Sequence, residues 1–419
     1  MPVVCGAMAD ISFHESDVVF ERAKRVIPGG VYGHQSPALL TPGEYPFFLE
    51  RSEGCRIRDV DGNEFIDFLC GYGPMVVGYR NPAVERAAAT QRERCDSMNL
   101  PAPCMVELAE RLVALSPGMD WAMFSKNGSD VTTWSLAVAR VASGRDIVAM
   151  VEGTYHGVHG WCNHLQAGFP DSDRQQIVEF DWNDLGGLEA RFRENPGKIA
   201  AVIITPFHHE AFSDSVLSKD GFLEGVRDIC SREGSVMIVD DVRAGFRLNM
   251  GGSTQAWGVT PDVLIYSKAL ANGYPLAVML GNDSLKDAGQ TVFYTGTFAT
   301  QAVPIAAALA TIAELERVDG IAHMERVGRR LCDGLTAQAT EAGFDVTISG
   351  PPAIPFMTFD ADRGGFDLSR AFAGACVRHG VFLHPIHNWF LSTAHQEADI
   401  DEALAATERA FAEIADRQS

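Results

Sequence analysis

Residues 236–243 read Val236-Met-Ile-Val-Asp-Asp-Val-Arg243, so a short apolar run ends in two acids and a base. Four further apolar runs lie between residues 122 and 266: Ala122-Met-Phe124, Ile147-Val-Ala-Met-Val151, Ile199-Ala-Ala-Val-Ile-Ile204 and Val263-Leu-Ile-Tyr266. Apolar runs without alternation are typical of strands that are buried on both faces. Amphipathic helical segments, such as 106–115 and 131–141, alternate with the runs. We therefore predict an α/β fold with a parallel sheet.

Polar or conformationally special residues follow every one of these runs. They are Ser125-Lys-Asn-Gly-Ser-Asp130, Glu152-Gly-Thr-Tyr-His156, Thr205-Pro-Phe-His-His-Glu210, Asp240-Asp-Val-Arg243 and Ser267-Lys268. The carboxyl ends of parallel strands meet at one edge of a sheet, and α/β proteins bind their ligands there. We expect the functional site at that edge.

The rest of the chain divides into smaller units. An alternating stretch over 47–68, broken by the turn Asp61-Gly-Asn63, predicts a small antiparallel hairpin. After residue 310 come a helix, a strand-like stretch near 346–359 and a final helix from about residue 399. We predict three parts: an N-terminal segment with the hairpin (1–70), a large domain (71–310) and a small C-terminal α/β domain (311–419).

Composition excludes several classes of function. The chain has 419 residues, is 46% hydrophobic, and carries 55 acidic against 34 basic residues, for a net charge of −21. Such a balance argues against binding to nucleic acid or to a membrane surface. No apolar stretch approaches the ~20 residues of a spanning helix, and residues 1–16 do not have the pattern of a signal peptide. The nine cysteines are spread singly, without a CxxC, which predicts a cytoplasmic protein.

Lys268 and Asp240 carry the strongest chemical signal. An amine at the mouth of a buried strand loses water, which lowers its pKa and makes it a nucleophile toward a carbonyl. Taken alone, Lys268 is equally well a surface lysine, and Asp240 is more simply a helix cap or an ion-pair partner. Taken together, they match pyridoxal phosphate, whose aldehyde binds a lysine and whose protonated ring nitrogen pairs with an acid.

Two further segments fit the same cofactor. Asn127-Gly-Ser-Asp130 precedes the predicted helix 131–141, so free backbone N–H groups and a hydroxyl can face a phosphate. An ordinary helix N-cap has a similar sequence. Tyr155-His156-Gly157 follows another strand and supplies an aromatic ring to stack on the cofactor. The four signals together predict pyridoxal 5′-phosphate as the cofactor.

These segments, with Asp59-Val-Asp-Gly-Asn-Glu-Phe-Ile-Asp67, Gly258-Val-Thr-Pro-Asp262 and Gly296-Thr297, resemble a known family. It is that of the class III, fold type I aminotransferases, and among them the glutamate-1-semialdehyde aminomutases are most similar. The resemblance runs from about residue 28 to the C-terminus. It implies a large, mainly parallel seven-stranded sheet domain, with a smaller α/β domain formed by the N-terminal segment and the C-terminus. It also implies a homodimer that shares its active sites.

The resemblance implies roles for individual residues. Lys268 would bind the cofactor as a Schiff base and move a proton between the substrate Cα and the cofactor C4′, while Asp240 would pair with the ring nitrogen. Val242 would pack behind the ring and Tyr155 would stack on its face. The other implied cofactor contacts are Asn127, Gly128, Ser129, His156 and, from the neighbouring subunit, Thr297.

The sequence departs from the aminomutases where they hold their substrate. Val31-Tyr-Gly-His-Gln-Ser-Pro-Ala-Leu-Leu40 has no Arg or Lys, and Phe382-Leu-His-Pro-Ile-His-Asn-Trp-Phe-Leu391 has no acid. The segment between Tyr155 and Trp182 is shorter than the gating loop of those enzymes. A shorter gate suits release of a keto product, so we predict a transaminase rather than a mutase.

Two departures lie beside the predicted cofactor site. Thr205 stands where the family usually has an acid, and Arg243 stands where Gln or Met is common. A buried Arg243 would bind a substrate carboxylate or contact the cofactor's phenolic oxygen; a salt bridge to Asp241 or Glu210 is the alternative. The candidate substrate contacts are Arg243, Tyr72, His209, Trp161 and Trp389.

The predicted activity is a ping-pong amino transfer in biosynthesis, from an amino acid donor to a carbonyl acceptor that is neutral, cyclic or sugar-like. Two alternatives remain: an intramolecular aminomutase, and a catalytically silent binding protein of the same fold. We expect no metal site, because His156-x-x-His159-x-x-Cys162-x-His164 does not have the spacing of a zinc site.

Overall fold

The computed structural model describes residues 11–36, 40, 43–163, 167–210, 212–362 and 364–417. Within them the strands are β1 Leu49–Glu53, β2 Arg56–Asp59, β3 Glu64–Asp67, β4 Trp121–Ser125, β5 Ile147–Val151, β6 Ile177–Phe180, β7 Ile199–Ile204, β8 Val236–Asp240, β9 Val263–Tyr266, β10 Ala277–Gly281, β11 Val346–Ser349, β12 Phe356–Phe359 and β13 Val381–Phe382. The α-helices are α1 His14–Ala23, α2 Pro82–Arg94, α3 Cys104–Leu115, α4 Gly128–Ser143, α5 Leu185–Glu194, α6 Phe222–Glu233, α7 Lys286–Thr291, α8 Ala302–Arg317, α9 Gly320–Glu341, α10 Asp367–Arg378 and α11 Glu397–Asp416.

The large sheet has seven strands in the order β4-β10-β9-β8-β7-β5-β6. Neighbouring strands are parallel from β9 to β6, whereas β10 runs antiparallel to both β4 and β9. All five apolar runs form strands of this sheet, which confirms the predicted α/β class. Because β4 and β9 both oppose β10, the five predicted strands point the same way and their carboxyl ends lie on one edge.

The sheet is buried on both faces, as its unalternating strands predict. Along β8, Met237 and Val239 belong to one hydrophobic core, and Val236 and Ile238 belong to the other. Helix α4 covers the second face and contacts strands β4, β7, β8, β9 and β10. A strand between two apolar layers needs no polar alternation, which explains the pattern of the sequence.

A second sheet joins the two ends of the chain. Its order is β1-β2-β3-β13, with antiparallel pairs among the first three strands and a parallel pair between β3 and β13. The stretch 47–68 therefore holds three strands rather than the single predicted hairpin, because Gly54 has a positive φ of 59° and allows a second turn between β1 and β2. The strand-like stretch near 346–359 is likewise two strands, β11 and β12.

The three-part division of the chain stays a prediction. The predicted boundary at residue 310 falls inside α8, and this helix packs mainly against α2 and α3. The sheet of β1, β2, β3 and β13 links the first and the third part, as the resemblance implies. None of the described helices is both apolar enough and long enough to cross a bilayer.

Candidate active site

A cavity of about 330 Å³ lies at the carboxyl edge of the large sheet. Its walls come from the segments that follow all five predicted strands, and from the segments 71–74 and 273–276. The predicted site residues that line it are Tyr72, Asn127, Gly128, Ser129, Tyr155, His156, His209, Asp240, Val242, Arg243 and Lys268. The structure thus brings Lys268 and Asp240, 28 positions apart in the sequence, to one cavity.

The N-terminus of α4 forms one wall. Asn127 precedes the helix in an extended conformation, and its N–H donates to Asp130 Oδ2 at 3.2 Å. Ser129 Oγ accepts from the N–H of Val158 at 3.2 Å. Gly157, with a φ of 130°, packs so closely that an added Cβ would lie 2.5 Å from Ser129 Oγ. The first turn of α4 and the 155–158 segment therefore form a tight pocket lined by backbone N–H groups, which suits an anion.

Lys268 lies two residues after the end of β9 and is partly buried. It has a φ of 41°, a conformation that residues other than glycine rarely adopt. Burial and the guanidinium groups of Arg243 and Arg247 lower the pKa of Lys268 to about 7, against the attraction of Asp240. A large fraction of the amine is therefore neutral and nucleophilic at pH 7.

Asp240, at the end of β8, is buried and only 6% exposed. Its Oδ2 lies 2.8 Å from Nδ1 of His156, and its Oδ1 accepts from the N–H of Val242 at 3.1 Å. His156 is itself fixed, because its carbonyl oxygen accepts from Thr132 Oγ1 at 2.8 Å. The neighbouring Asp241 points away and accepts from the N–H of Ser253. Of the two adjacent acids, only Asp240 serves the cavity.

Arg243 lines the cavity and donates from Nη1 to the side-chain oxygen of Asn388. Among the described residues it forms no ion pair with Asp241 or Glu210, so the salt-bridge alternative is wrong. Burial lowers the pKa of Arg243 to about 10, although Asp240 and Tyr155 oppose this shift. Because the amide of Asn388 is neutral, it does not compensate the positive charge of Arg243. The guanidinium can therefore bind an anion in the cavity.

Three further predicted residues contribute to the cavity wall. Tyr155 is half-buried, and burial raises the pKa of its phenol. His209 is 6% exposed, and burial together with nearby Arg243 and Lys268 lowers the pKa of its imidazole well below the usual value. Tyr72 stands opposite, with its ring 5.3 Å and edge-on from that of His387.

Three predicted residues lie elsewhere. Trp161 is behind the cavity, where its ring stacks 6.1 Å from that of His156 and its Nε1 donates to Thr133. Trp389 is 3% exposed and donates to the carbonyl oxygen of His384, so it belongs to the core rather than to the cavity wall. Thr297 is exposed and does not line the cavity of its own chain.

The four-residue metal-like pattern from 156 to 164 is only partly described, because His164 lies outside the described residues. Among the side chains that the structure does describe, no group of three His, Cys, Asp or Glu is arranged to hold a metal ion. His159 Nδ1 instead lies 2.6 Å from Thr133 Oγ1.

Residues that the sequence did not single out complete the surroundings of Lys268. Phe390 lies under its amine, with Nζ 5.9 Å from the ring centroid, and the guanidinium of Arg247 lies 4.9 Å from the same centroid. Asn388 holds Arg243. Phe390 and Asn388 come from a segment far along the chain, and no local pattern marks them as neighbours of β8 and β9.

Comparison with known proteins agrees with this geometry. The aminotransferase class-III family is matched over residues 40–410. The chain belongs to this family. It is a pyridoxal-phosphate-dependent aminotransferase of fold type I, so the alternative of a catalytically silent binding protein is set aside.

Relatives of this class-III aminotransferase cover nearly its whole length. An aminopentol aminotransferase of Sphingopyxis macrogoltabida is 42% identical over 94% of this chain and 93% of its own. A 3-aminobutyryl-CoA aminotransferase of Cloacimonas acidaminovorans is 35% identical over 94% and 96%. A glutamate-1-semialdehyde 2,1-aminomutase of Anaeromyxobacter sp. is 32% identical over 96% and 98%. Named aminotransferases are thus more similar than this named aminomutase.

A solved structure gives the same result. The FumI protein of Sphingopyxis sp. MTA144, determined in its PLP internal aldimine form, superposes with a TM-score of 0.94 at 41% identity, over 96% of each chain. The cofactor of the family is pyridoxal 5′-phosphate.

The residues described above fit this cofactor. Its phosphate needs N–H donors, which the first turn of α4 supplies beside Ser129. Its ring nitrogen needs an acid, and Asp240 is buried at the cavity with His156 to orient it. Its aldehyde needs a neutral amine, and the lowered pKa of Lys268 supplies one.

Proposed function

We propose that this chain transfers amino groups in two half-reactions at the cavity described above. An amino acid donor would give up its amine and leave as a keto acid, and a carbonyl acceptor would then take the amine. One observation carries the proposal: Lys268, Asp240 and the N-terminus of α4 line a single cavity. We infer that they hold the cofactor's aldehyde, ring nitrogen and phosphate respectively.

Within that arrangement the protein side chains have separate tasks. When bound, pyridoxal phosphate supplies an electron sink for the negative charge that develops at the substrate Cα. Asp240 keeps the ring nitrogen protonated, and His156 keeps Asp240 in place through the 2.8 Å contact. Lys268 carries the proton between the substrate Cα and the cofactor C4′, as its lowered pKa permits. We assign the contact with the ring faces to Tyr155 and Val242.

Arg243 is the proposed site for the carboxylate of the donor. Its partner Asn388 is neutral, so an incoming carboxylate meets a partly buried positive charge that forms no ion pair with a described acid. A bidentate contact to a guanidinium gives geometric selection as well as affinity. His209 and Tyr72 line the same space and would contact the rest of the substrate.

The amine or carbonyl partner is proposed to lack a carboxylate beside the reacting carbon. An aminopentol is an amino alcohol and 3-aminobutyryl-CoA is a thioester, so neither substrate named for the two relatives carries a free carboxylate. Arg243 is the only arginine among the described residues that line the cavity, and a single guanidinium that binds the carboxylate of the donor would suit a second substrate without one. The neutral acceptor expected from the sequence is in accord with this proposal.

A homodimer completes the proposed enzyme. Thr297 is exposed, and Phe293 and Phe298 beside it are 90% and 49% exposed. Large exposed apolar side chains often mark a surface that another chain covers. We infer that a second copy covers this segment and receives Thr297 at its phosphate site. The cytoplasmic location stays a prediction.

Replacement of the lysine tests the central assignment. We expect Lys268→Ala to keep pyridoxal phosphate bound without a covalent link while turnover falls by roughly a thousandfold or more. Absorbance of the bound cofactor and trapping with borohydride would measure the link, and amino transfer from L-alanine or L-glutamate would measure turnover. Lys286→Ala, at an exposed lysine that pairs with Asp283, is the matched control. Turnover of Lys268→Ala near the wild-type rate would overturn the assignment.

The products distinguish a transaminase from an intramolecular aminomutase. A transaminase releases one keto acid from the donor for every aminated acceptor, whereas a mutase releases none. We expect stoichiometric keto acid with the wild-type protein. Conversion of glutamate-1-semialdehyde without a keto acid would identify a mutase instead.

A further inference from the structure

The wall of the cavity opposite α4 is made by an unusual turn. Four successive residues have positive φ angles: Cys70 at 50°, Gly71 at 63°, Tyr72 at 66° and Gly73 at 105°. Only two of them are glycines, so Cys70 and Tyr72 occupy a conformation that side chains disfavour. Such a turn persists only where the surrounding structure holds it. We refer to residues 69–73 as the left-handed turn.

Asp67, at the end of β3, holds this turn. It is 2% exposed and does not line the cavity. Its Oδ1 accepts from the N–H of Leu69 at 2.8 Å. Its Oδ2 accepts from the N–H of Cys70 at 3.0 Å and from Oη of Tyr79 at 2.7 Å. One buried carboxylate thus binds the two successive N–H groups at the start of the turn that leads to Tyr72.

The far side of the left-handed turn packs against Phe390. A Cβ added at Gly73 would lie 2.9 Å from the Phe390 ring, and the N–H of Phe390 donates to the carbonyl oxygen of Phe68 at 2.7 Å. The turn is held by Asp67 on one side and blocked by Phe390 on the other. Gly71 and Tyr72 of this turn line the cavity, and Tyr72 is the one of the two with a side chain.

We propose that Asp67 is a positioning residue: its carboxylate holds the left-handed turn so that Tyr72 stands in the cavity wall, and it thereby sets the affinity for the substrate. The inference rests on the proposed function, because it takes the cavity as the place where the amino substrate binds. Asp67 touches neither the cavity nor Lys268, so the proton transfer itself stays with Lys268.

Asp67→Asn tests the proposal, because an amide keeps the size of the side chain but accepts at one oxygen only. We expect KM for L-alanine or L-glutamate to rise roughly 10- to 100-fold, as small displacements of positioning groups do, with kcat and cofactor absorbance nearly unchanged. Tyr79→Phe removes one of the three contacts and would give a smaller rise. Asp59→Asn is the matched control, since Asp59 is also buried and accepts from Asp61 and Asn63 in a turn away from the cavity.

A double-mutant cycle separates positioning from general destabilisation. If Asp67 acts through Tyr72, Asp67→Asn raises KM in the wild-type background but changes it by less than about twofold in a Tyr72→Ala background. Equal effects of Asp67→Asn in both backgrounds would overturn the proposal. The proposal would also be overturned if Asp67→Asn lowered Tm but left KM unchanged.

Hydrogen exchange gives a readout that needs no turnover. We expect the amides of residues 68–75 to exchange faster in Asp67→Asn than in the wild-type protein and in Asp59→Asn. Unchanged exchange would refute the role of Asp67 directly. A wild-type protein that transfers no amino group would instead refute the proposed function, and the exchange result would still decide the role of Asp67.

Discussion

Lys268 illustrates how neighbours convert an ordinary side chain into a reactive one. Removal of water disfavours the ammonium form, and two guanidinium groups repel it further, so the pKa falls to about 7. The sequence predicted burial at the strand end and hence the direction of this shift. It did not predict the two arginines as its partners, because Arg247 reaches Lys268 only through the packing of both side chains on Phe390.

The lowered pKa predicts how the apoprotein captures its cofactor. Below pH ~7 the amine is protonated and unreactive, and above it the amine is neutral, so the rate of capture should rise with pH, reach half its maximum near pH 7 and then level off. Stopped-flow absorbance after mixing with pyridoxal phosphate would measure this rate. Arg247→Met, which removes one repelling charge, should move the midpoint upward, while Arg232→Met at an exposed position should not. A midpoint near 10.5 in the wild-type protein would contradict the prediction.

The role of Arg243 also yields a prediction. Arg243→Ala should raise KM for an acidic donor such as L-glutamate roughly 10- to 100-fold, the value of a lost charged hydrogen bond. An amine without a carboxylate serves as the control substrate, and its KM should change little. Steady-state kinetics at fixed acceptor would measure both. An unchanged KM for the acidic donor would remove Arg243 from the substrate site.

At the level of single elements, α4 shows how far a short sequence pattern predicts a helix and its surroundings. The sequence predicts a helix over 131–141 that Asn127-Gly-Ser-Asp130 precedes, and α4 begins three residues earlier, at Gly128. The closeness of Gly157 to Ser129 was not predictable, because it depends on the path of the chain after β5. The tight pocket arises from the meeting of the two segments.

Gly157→Ala tests that pocket. The added methyl meets Ser129 Oγ and the residue strains at a φ of 130°, so we expect the dissociation constant for pyridoxal phosphate to rise at least roughly tenfold. Equilibrium dialysis or cofactor absorbance would measure it. Gly144→Ala, at the other end of α4, has a φ of 67° but open space around it, so it should lower Tm without weakening the cofactor. Equal cofactor affinity in both variants would contradict the role of the pocket.

Strands differ in how well the sequence indicates them. The five apolar runs were predicted as strands because burial on both faces removes alternation. Strand β6 lies at the sheet edge and β13 has two residues, so neither has a pattern of its own. Strand β10 is fully buried, but it runs antiparallel to its neighbours, and no local pattern distinguishes that direction.

At the scale of the whole molecule, the apolar runs predicted the fold class, and the residues that follow them predicted the location of the site. The proposed homodimer rests on the resemblance and on exposed side chains, because an assembly leaves only indirect marks on one chain. Thr297 lies outside the cavity of its own chain, and the role that the resemblance implies for it would require a second copy.

Sedimentation and cofactor affinity together test the assembly. We expect a dimer, and we expect Phe293→Ser to weaken both dimerisation and pyridoxal phosphate binding, since it removes a side chain that is 90% exposed beside Thr297. Val141→Ser is the control, because Val141 is also an exposed apolar residue but lies on α4. It should change neither dimerisation nor cofactor binding. A monomer that binds the cofactor tightly would contradict the shared site.

The parallel pair of β3 and β13 has a consequence for biosynthesis of the enzyme. Phe382 pairs with Asp67, so the edge of β3 stays open on the ribosome until the distant partner emerges, roughly 15–60 s later at ordinary rates of translation. Asn388 and Phe390 emerge later still, and they flank Arg243 and Lys268. A nascent chain therefore carries an unprotected strand edge while its proposed cofactor site is still unfinished, and both are completed by the same C-terminal segment.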